Sequence, residues 1–313
     1  MTTTLTDPPA PAPAPAPAPP QLSPGGRTAV RAMLVIAGVT ILAGTLALLA
    51  TGAAGLSAFR LVTDHRSLPA AMRVLTVDTA DSPVAVRIIA DSNATEPRAD
   101  VRMLTTDRAD RQELTVTDEP GGTVLRVEGQ TSFLAWGDPG EVTVTLPPEL
   151  GRRLAVTVRQ ETGMLMVDAD LDELTATATD ASVLLRGTLR RSEIRTQNGD
   201  VLARQPISVS ESFDASTVDG SVEVRFADAP PRIGATTRNG EVSVALPAPG
   251  PYLVHAQSAN GPSRVRVPET TDAAAAVAEV NAGTENGAVT IETTSALPSV
   301  NDQPWPRWAS WLR

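Results

Sequence analysis

A two-residue turn recurs seven times in the second half of this 313-residue chain. It falls at Thr162-Gly163, Asp180-Ala181, Asn198-Gly199, Asp219-Gly220, Asn239-Gly240, Asn260-Gly261 and Asn286-Gly287, in steps of 18, 18, 21, 20, 21 and 26 residues. A period in this range marks a repeat whose units cannot bury an apolar face alone and must stack. Aligned on the second turn residue, the position seven before it holds Val156, Leu174, Ser192, Phe213, Ile233, Val254 and Val280. Five before it stand Val158, Ala176, Ile194, Ala215, Ala235, Ala256 and Ala282, and three before it Gln160, Ala178, Thr196, Thr217, Thr237, Ser258 and Thr284. The residues between are mostly polar, which is the period of two of strands with one buried face.

Alternation resumes after each turn, as in Leu165/Val167, Val183/Leu185, Val201/Ala203, Val222/Val224, Val242/Val244 and Val289/Ile291. The unit at Asn260 departs, because Pro262 is expected to push its pair to Val265 and Val267. The inward residues shrink toward the turn, as expected where two strand walls meet at a corner. Asn, Asp and Gly at the corner suit a positive φ. These features predict an all-β chain, a β-solenoid of parallel β-helix-like repeats of about 18–26 residues. A series of antiparallel hairpins is the alternative, since Asn-Gly between alternating strands also signals a hairpin.

Upstream, Leu75, Val77 and Thr79, the turn Asp81-Ser82, then Val84 and Val86 reproduce the profile. The segment Gly140–Pro147 (GEVTVTLP) echoes Gly240–Pro247 (GEVSVALP). Between them Leu114/Val116 and Val124/Val127 flank Pro120-Gly121-Gly122 and read as a plainer hairpin. The β region is expected from about Met72 to Thr293.

Residues 8–20 (PPAPAPAPAPAPP) favour polyproline II and cannot form a packed core. From Ala32 to Phe59 no residue is charged, a run of 28. About 20 apolar residues span a bilayer core, so this stretch is expected to be a transmembrane helix. A cleaved signal peptide is the rival, with Arg27 and Arg31 before the apolar run and Gly52-Ala53-Ala54 as small residues for cleavage. The expected organisation is a Pro/Ala-rich tail at 1–31, the transmembrane helix at 32–59, a juxtamembrane linker at 60–71, the β-solenoid at 72–294 and a Trp-rich tail or cap at 295–313. Arg27 and Arg31 before the helix nearly balance Arg60, Arg66 and Arg73 after it. A short basic tail inside the cell and an acidic β body outside it is the topology adopted.

All 26 basic residues are Arg, against 36 Asp and Glu. Asp7, Arg27, Arg31 and Arg60 lie before residue 64, so residues 64–313 keep 35 acids and 23 Arg, a net of −12. That disfavours nucleic acid, which needs clustered positive charge. There is no Cys, so neither a disulfide framework nor a thiolate metal site can form.

Chemical motifs are sparse. The two histidines, His65 near the apolar run and His255 at an outward strand position, make a zinc site improbable. Asp168, Asp170 and Asp172 resemble the start of a calcium loop, but Glu173 stands where such a loop needs Gly and Thr179 where it needs Glu. An acidic return between repeats is the better reading. No nucleophile elbow, phosphate loop or dinucleotide fingerprint is present, and the outward carboxylates do not converge as an acid/base pair. No catalytic, cofactor-binding or metal-binding residue is assigned, and no enzyme activity is expected. Trp305, Trp308 and Leu312 share one helical face, which suits either a cap over an open end of the repeats or contact with a partner or membrane interface.

The recurring Asn/Asp-Gly-x-Val-x-Val corners, the segments Val142–Pro147 (VTVTLP) and Val242–Pro247 (VSVALP), and the order of tail, anchor and repeats resemble the bacterial putative-adhesin family. The resemblance covers roughly residues 70–300 and rests on structural motifs. It implies a membrane-associated β-solenoid domain, in a family of largely unknown function with no established catalytic residues to transfer. The expected role is a single-pass, extracytoplasmic binding, adhesion or scaffolding module of the cell envelope. Polar rows of Thr177, Ser216, Thr236 and Gln257 would face polysaccharide or a surface protein. A component of envelope-stress signalling, reporting through the Pro-rich tail, is the alternative.

Overall fold

The computed structural model describes residues 59–79, 82–106, 113–128 and 140–294, whose regular structure is β apart from one helical turn at Pro148–Gly151. Seven strands precede that turn: β1 (Phe59–Ser67), β2 (Val74–Asp78), β3 (Val84–Ala90), β4 (Arg98–Thr106), β5 (Glu113–Glu119), β6 (Gly122–Glu128) and β7 (Gly140–Leu146). Eleven follow: β8 (Ala155–Asp168), β9 (Leu171–Arg186), β10 (Thr188–Asn198), β11 (Val201–Ser216), β12 (Val222–Asp228), β13 (Arg232–Asn239), β14 (Val242–Leu246), β15 (Tyr252–Ser258), β16 (Ser263–Arg266), β17 (Ala278–Asn286) and β18 (Val289–Thr293). Hydrogen bonds join them into one sheet of 18 strands.

The segments that meet at a corner do not pair antiparallel with each other as a hairpin would. Each pairs in parallel with its equivalent in another repeat, which overturns the hairpin alternative for these turns. Before the corner the ladder runs Val156, Leu174, Ser192, Phe213, Ile233, Val280, Val254. The column of small residues runs beside it in the same register, Val158, Ala176, Ile194, Ala215, Ala235, Ala282, Ala256. Past the corner a second ladder joins Val183 to Val201, Val222, Val242 and Val289. The inward side chains of both ladders form one apolar core. Within it Phe213 meets Phe226 edge to face, ring centres 5.4 Å apart at 84°. Each such large side chain contributes about 1.5–3 kcal/mol by leaving water.

Layer order differs from chain order at both ends. The last unit, β17 and β18, lies between the β13/β14 unit and the β15/β16 unit. The first unit, β2 and β3, lies between β6/β7 on one side and β8 on the other. Only β1 with β4, β4 with β7, and β5 with β6 pair antiparallel. The β5–β6 pair is the expected hairpin, with Glu119 opposite Gly122, but it buries Leu125 beside Val127 rather than Val124.

Three sequence expectations need correction. Residues 60–71 are not a linker as far as Ser67, because β1 occupies Phe59–Ser67 and pairs along its length with β4. The apolar run therefore gives way to strand at Phe59, and residues 32–58, expected as a membrane helix, lie outside the described residues, as do the 1–31 and 295–313 tails. Among the described residues no helix is long and apolar enough to cross a membrane. At Pro262 the register does not slip: Ser263 stands opposite Val289 and Val265 opposite Ile291, so Ser simply replaces the first Val. A two-residue shift does occur upstream, where Val84 opposes Gly163 and Val86 opposes Leu165. A shift of two keeps every side chain on its own face, so the core tolerates it.

The corners are built from two devices. At Gly199 (φ 142°) and Gly240 (φ 154°) the backbone adopts a conformation L side chains rarely reach. A Cβ there would lie 2.2 Å from the Ala181 carbonyl oxygen and 2.0 Å from that of Gly220. The same close approach leaves those carbonyls facing inward, where a neighbouring hydroxyl satisfies them. Thr196 Oγ1 donates to the Ala181 oxygen at 3.1 Å, Thr217 to Gly199 at 3.0 Å, Thr237 to Gly220 at 2.8 Å, Thr284 to Gly240 at 3.0 Å and Ser258 to Gly287 at 2.7 Å. The small inward residue nearest the corner is thus a hydrogen-bond donor as well as a space filler.

Candidate binding face

The wall before the corners carries the expected polar row. Register places Arg159, Thr177, Arg195, Ser216, Thr236, Gly283 and Gln257 side by side in that order. Thr177, Ser216, Thr236 and Gln257 therefore share one row, but Arg195 separates the first two and Gly283 the last two. Neighbouring strands lie about 4.8 Å apart, so the row is a flat polar strip with that repeat. A second row beside it runs Thr157, Thr175, Glu193, Asp214, Gly234, Asn281 and His255. His255 is exposed there, as its outward position predicts.

At the corner edge of this wall, side-chain amides link successive layers. Asn260 Nδ2 donates to Asn286 Oδ1 at 2.9 Å, Asn286 to Asn239 at 2.7 Å, and Asn239 to Asp219 at 2.6 Å. Asn198 donates to Asp180 at 2.5 Å. The Asn and Asp of the turn pairs are accounted for by these links, one of which, Asn286 to Asn239, joins layers that are not neighbours in sequence.

The acidic return does not gather its carboxylates. Asp172 is held by Arg190, whose Nε reaches Oδ1 at 2.7 Å and whose Nη2 reaches Oδ2 at 3.1 Å. Asp170 Oδ1 accepts the Thr188 amide at 3.0 Å, and Asp168 lies 3.7 Å from Arg186. Three different partners thus draw the three groups apart, in place of the shared centre a calcium loop requires. Among the described residues no group of three or more acidic or His side chains is placed to hold a metal ion.

Arg190 and Arg191 also hold Glu211. The Arg190 hydrogen bond keeps the Asp172 carboxyl below its ordinary range. Hydrogen bonds from Arg191 and then Arg190 do the same for Glu211. Arg190 is pushed up in return, chiefly by Asp172. Burial pulls Arg186 down, partly opposed by Asp168. Burial also raises the Tyr252 hydroxyl, which donates to the Pro247 carbonyl. These groups serve as ties between layers, and their charges are engaged by one another.

Sequence reasoning missed one cluster. His65 on β1 stands opposite Asp100 on β4, with Nδ1 2.5 Å from Oδ1. Arg98 Nε reaches the other Asp100 oxygen at 3.2 Å, and Arg66, Ser67 and these three residues line an open cleft of about 410 Å³. A nucleophile must lie within hydrogen-bond reach of its base, and among the described hydrogen bonds none joins Ser67 to His65. The imidazole is 70% exposed, and Arg98 shares its carboxylate. This arrangement holds a histidine at the surface beside a carboxylate that it shares with Arg98. The available signal was the alternation of Leu61, Thr63, His65 and Ser67, obscured by the adjoining apolar run.

No family model matches the chain, and no curated relative matches it. Among solved structures it is similar to a putative cell adhesion protein from Clostridium sporogenes, at 12% identity and a TM-score of 0.35 over 75% of this chain and 100% of that one. It is also similar to a putative adhesin from Bacteroides fragilis, at 12% identity and a TM-score of 0.40, covering 75% and 97%. A putative adhesin from Parabacteroides merdae gives 13% and 0.40, covering 75% and 96%. At such identities and scores the function has to be argued from this chain's own residues.

Proposed function

We propose that the chain is a single-pass membrane protein whose extracytoplasmic β region winds as a β-solenoid. It serves the cell envelope as a non-catalytic binding or scaffolding module, presenting its outward polar rows to polysaccharide or a surface protein. The observation that carries this reading is the row from Arg159 to Gln257, a flat strip of hydroxyl, amide and guanidinium groups. Extended polymers with repeating hydroxyls suit such a strip, since many weak hydrogen bonds add along it. The resemblance to putative adhesins is compatible with the same role. The uncharged run 32–59 supplies the anchor in this reading.

A glycan array probed with residues 59–313 tests the binding role, with Thr177→Asp/Thr236→Asp as the paired variant. Binding that the variant abolishes supports the reading; binding that it leaves intact moves the site off this row. Protease shaving of whole cells tests the topology, and protection of residues 64–313 would sink it.

A further inference from the structure

The wall beyond the corners carries an outward row of a different character. Register places Arg87, Met166, Leu184, Leu202, Glu223, Ser243, Thr290 and Arg264 side by side. Met166, Leu184 and Leu202 stand where later strands hold Glu, Ser and Thr, and Met164 lies two residues before Met166 on the same face. Their chain neighbours Leu165, Val167, Val183, Leu185, Val201 and Ala203 all belong to the core, so by alternation these four lie on the other face, where Met166 is buried and Met164, Leu184 and Leu202 are half-buried. Beside the stripe, two residues further along the strands, lie Arg186, Arg204 and Arg225, an edge able to stack on aromatic rings.

The chain leaves the described region on this same wall. Thr294 follows β18, and its Oγ1 donates to the Phe226 carbonyl at 3.1 Å. From β18 to β11 is three strand spacings, about 14 Å, and to the second half of β8 five, about 24 Å. Trp305 stands eleven residue steps beyond Thr294, enough to span about 36 Å when extended. In the stretch that follows, Trp305, Trp308 and Leu312 stand at spacings of three and four residues.

We propose that residues 304–313 dock as a strap across the outward Met164/Met166/Leu184/Leu202 stripe, rather than over an open end of the stack. Reach, the exit point at Thr294 and the matching apolar content of the two partners select this segment as the occupant. Thioether–indole contacts with Met164 and Met166 and indole–guanidinium stacking on the arginine edge supply the attraction.

The absence of Cys makes a direct test available. In the full chain, in detergent micelles, Ser182→Cys with Ala309→Cys places one thiol beside the stripe and one next to Trp308 in the tail, leaving the stripe, the Trp residues and Leu312 intact. Thr236→Cys with Ala309→Cys places the first thiol on the other wall. Under mild oxidation the first pair is expected to close within one molecule at least tenfold faster than the second. Adding Leu184→Arg and Leu202→Arg to the first pair should reduce its rate to that of the second, with the melting temperature confirming that the variant is folded. Equal rates for the two pairs, a disulfide formed only between copies, or a rate indifferent to the arginines each overturn the proposal.

Discussion

The middle of the stack and its two ends are made from the same unit but obey different rules. From β8 to β14 each unit stacks on the one before it in sequence, every pairing is parallel, and the corner carbonyls of Ala181, Gly199 and Gly220 each meet a hydroxyl from the next layer. At the ends, layers exchange places in sequence order, antiparallel strands join, and the Val84 carbonyl of β3 accepts from the Gln160 side-chain amide instead of from a hydroxyl. The middle is held by repetition, where one layer's device depends on its neighbour being identical. The ends are held by individual contacts such as the Tyr252 hydroxyl to Pro247 and the Arg66 Nε bond to the Leu114 carbonyl at 3.3 Å. A substitution in the middle therefore disturbs two layers, and one at an end disturbs a local contact.

The contrast breaks most visibly at glycines. Gly240→Val forces a side chain into a positive φ and against a backbone oxygen 2.0 Å away, so it should cost more than about 4 kcal/mol in denaturant unfolding. Gly121→Ala in the β5–β6 turn, with no atom within 4 Å of the added Cβ, should stay within about 0.5 kcal/mol of the parent. Comparable losses at the two positions would erase the distinction. Thr237→Val keeps the shape but strands the Gly220 carbonyl, and should cost about 1–2 kcal/mol by the same measurement. No loss would mean the hydroxyl row is incidental.

Ser192 sharpens the comparison from within the middle. Its hydroxyl is buried without a hydrogen-bond partner, in a column otherwise apolar. Ser192→Ala should therefore be neutral or stabilising by up to about 1 kcal/mol. A clear loss of stability would show a partner for that hydroxyl.

The smallest effect concerns acid. Asp172 and Glu211 titrate below their ordinary values in the folded chain. Their contribution is complete above the unfolded values, about 3.9 and 4.3, and is lost as pH falls through the depressed folded ones. Arg190→Gln relaxes both, so its acid unfolding should begin at higher pH than in the parent. Coincident acid transitions would remove the Arg190 network from the account of stability.

Much of this architecture is readable from residues alone. The three inward columns, the positive φ at five of the six corner glycines (Gly261 departs) and the β5–β6 hairpin follow from period and turn chemistry, which act locally. Layer order does not, because units with the same inward profile fit any neighbour equally well. Nothing in Val280 or Val254 says which stacks on Ile233. The strand Phe59–Ser67 was hidden because it is recognised by its partner β4 across a long sequence gap. Of the candidate surface, the polar row was legible from outward positions, while Arg195 and Gly283 within it depended on register. The His65–Asp100 pair, 35 residues apart, also required the fold.

The exchanged end layers also dictate how the molecule is assembled during synthesis. The β2/β3 unit emerges first but finds its two neighbours only after β6–β8 exist. The β15/β16 unit emerges before the β17/β18 unit on which it must rest. Closure at each extremity therefore waits for a unit made later in the chain. Once shut, the far end is covered by β15/β16 rather than by the last unit, while at the near end the first strand, β1, lies at the edge on β4.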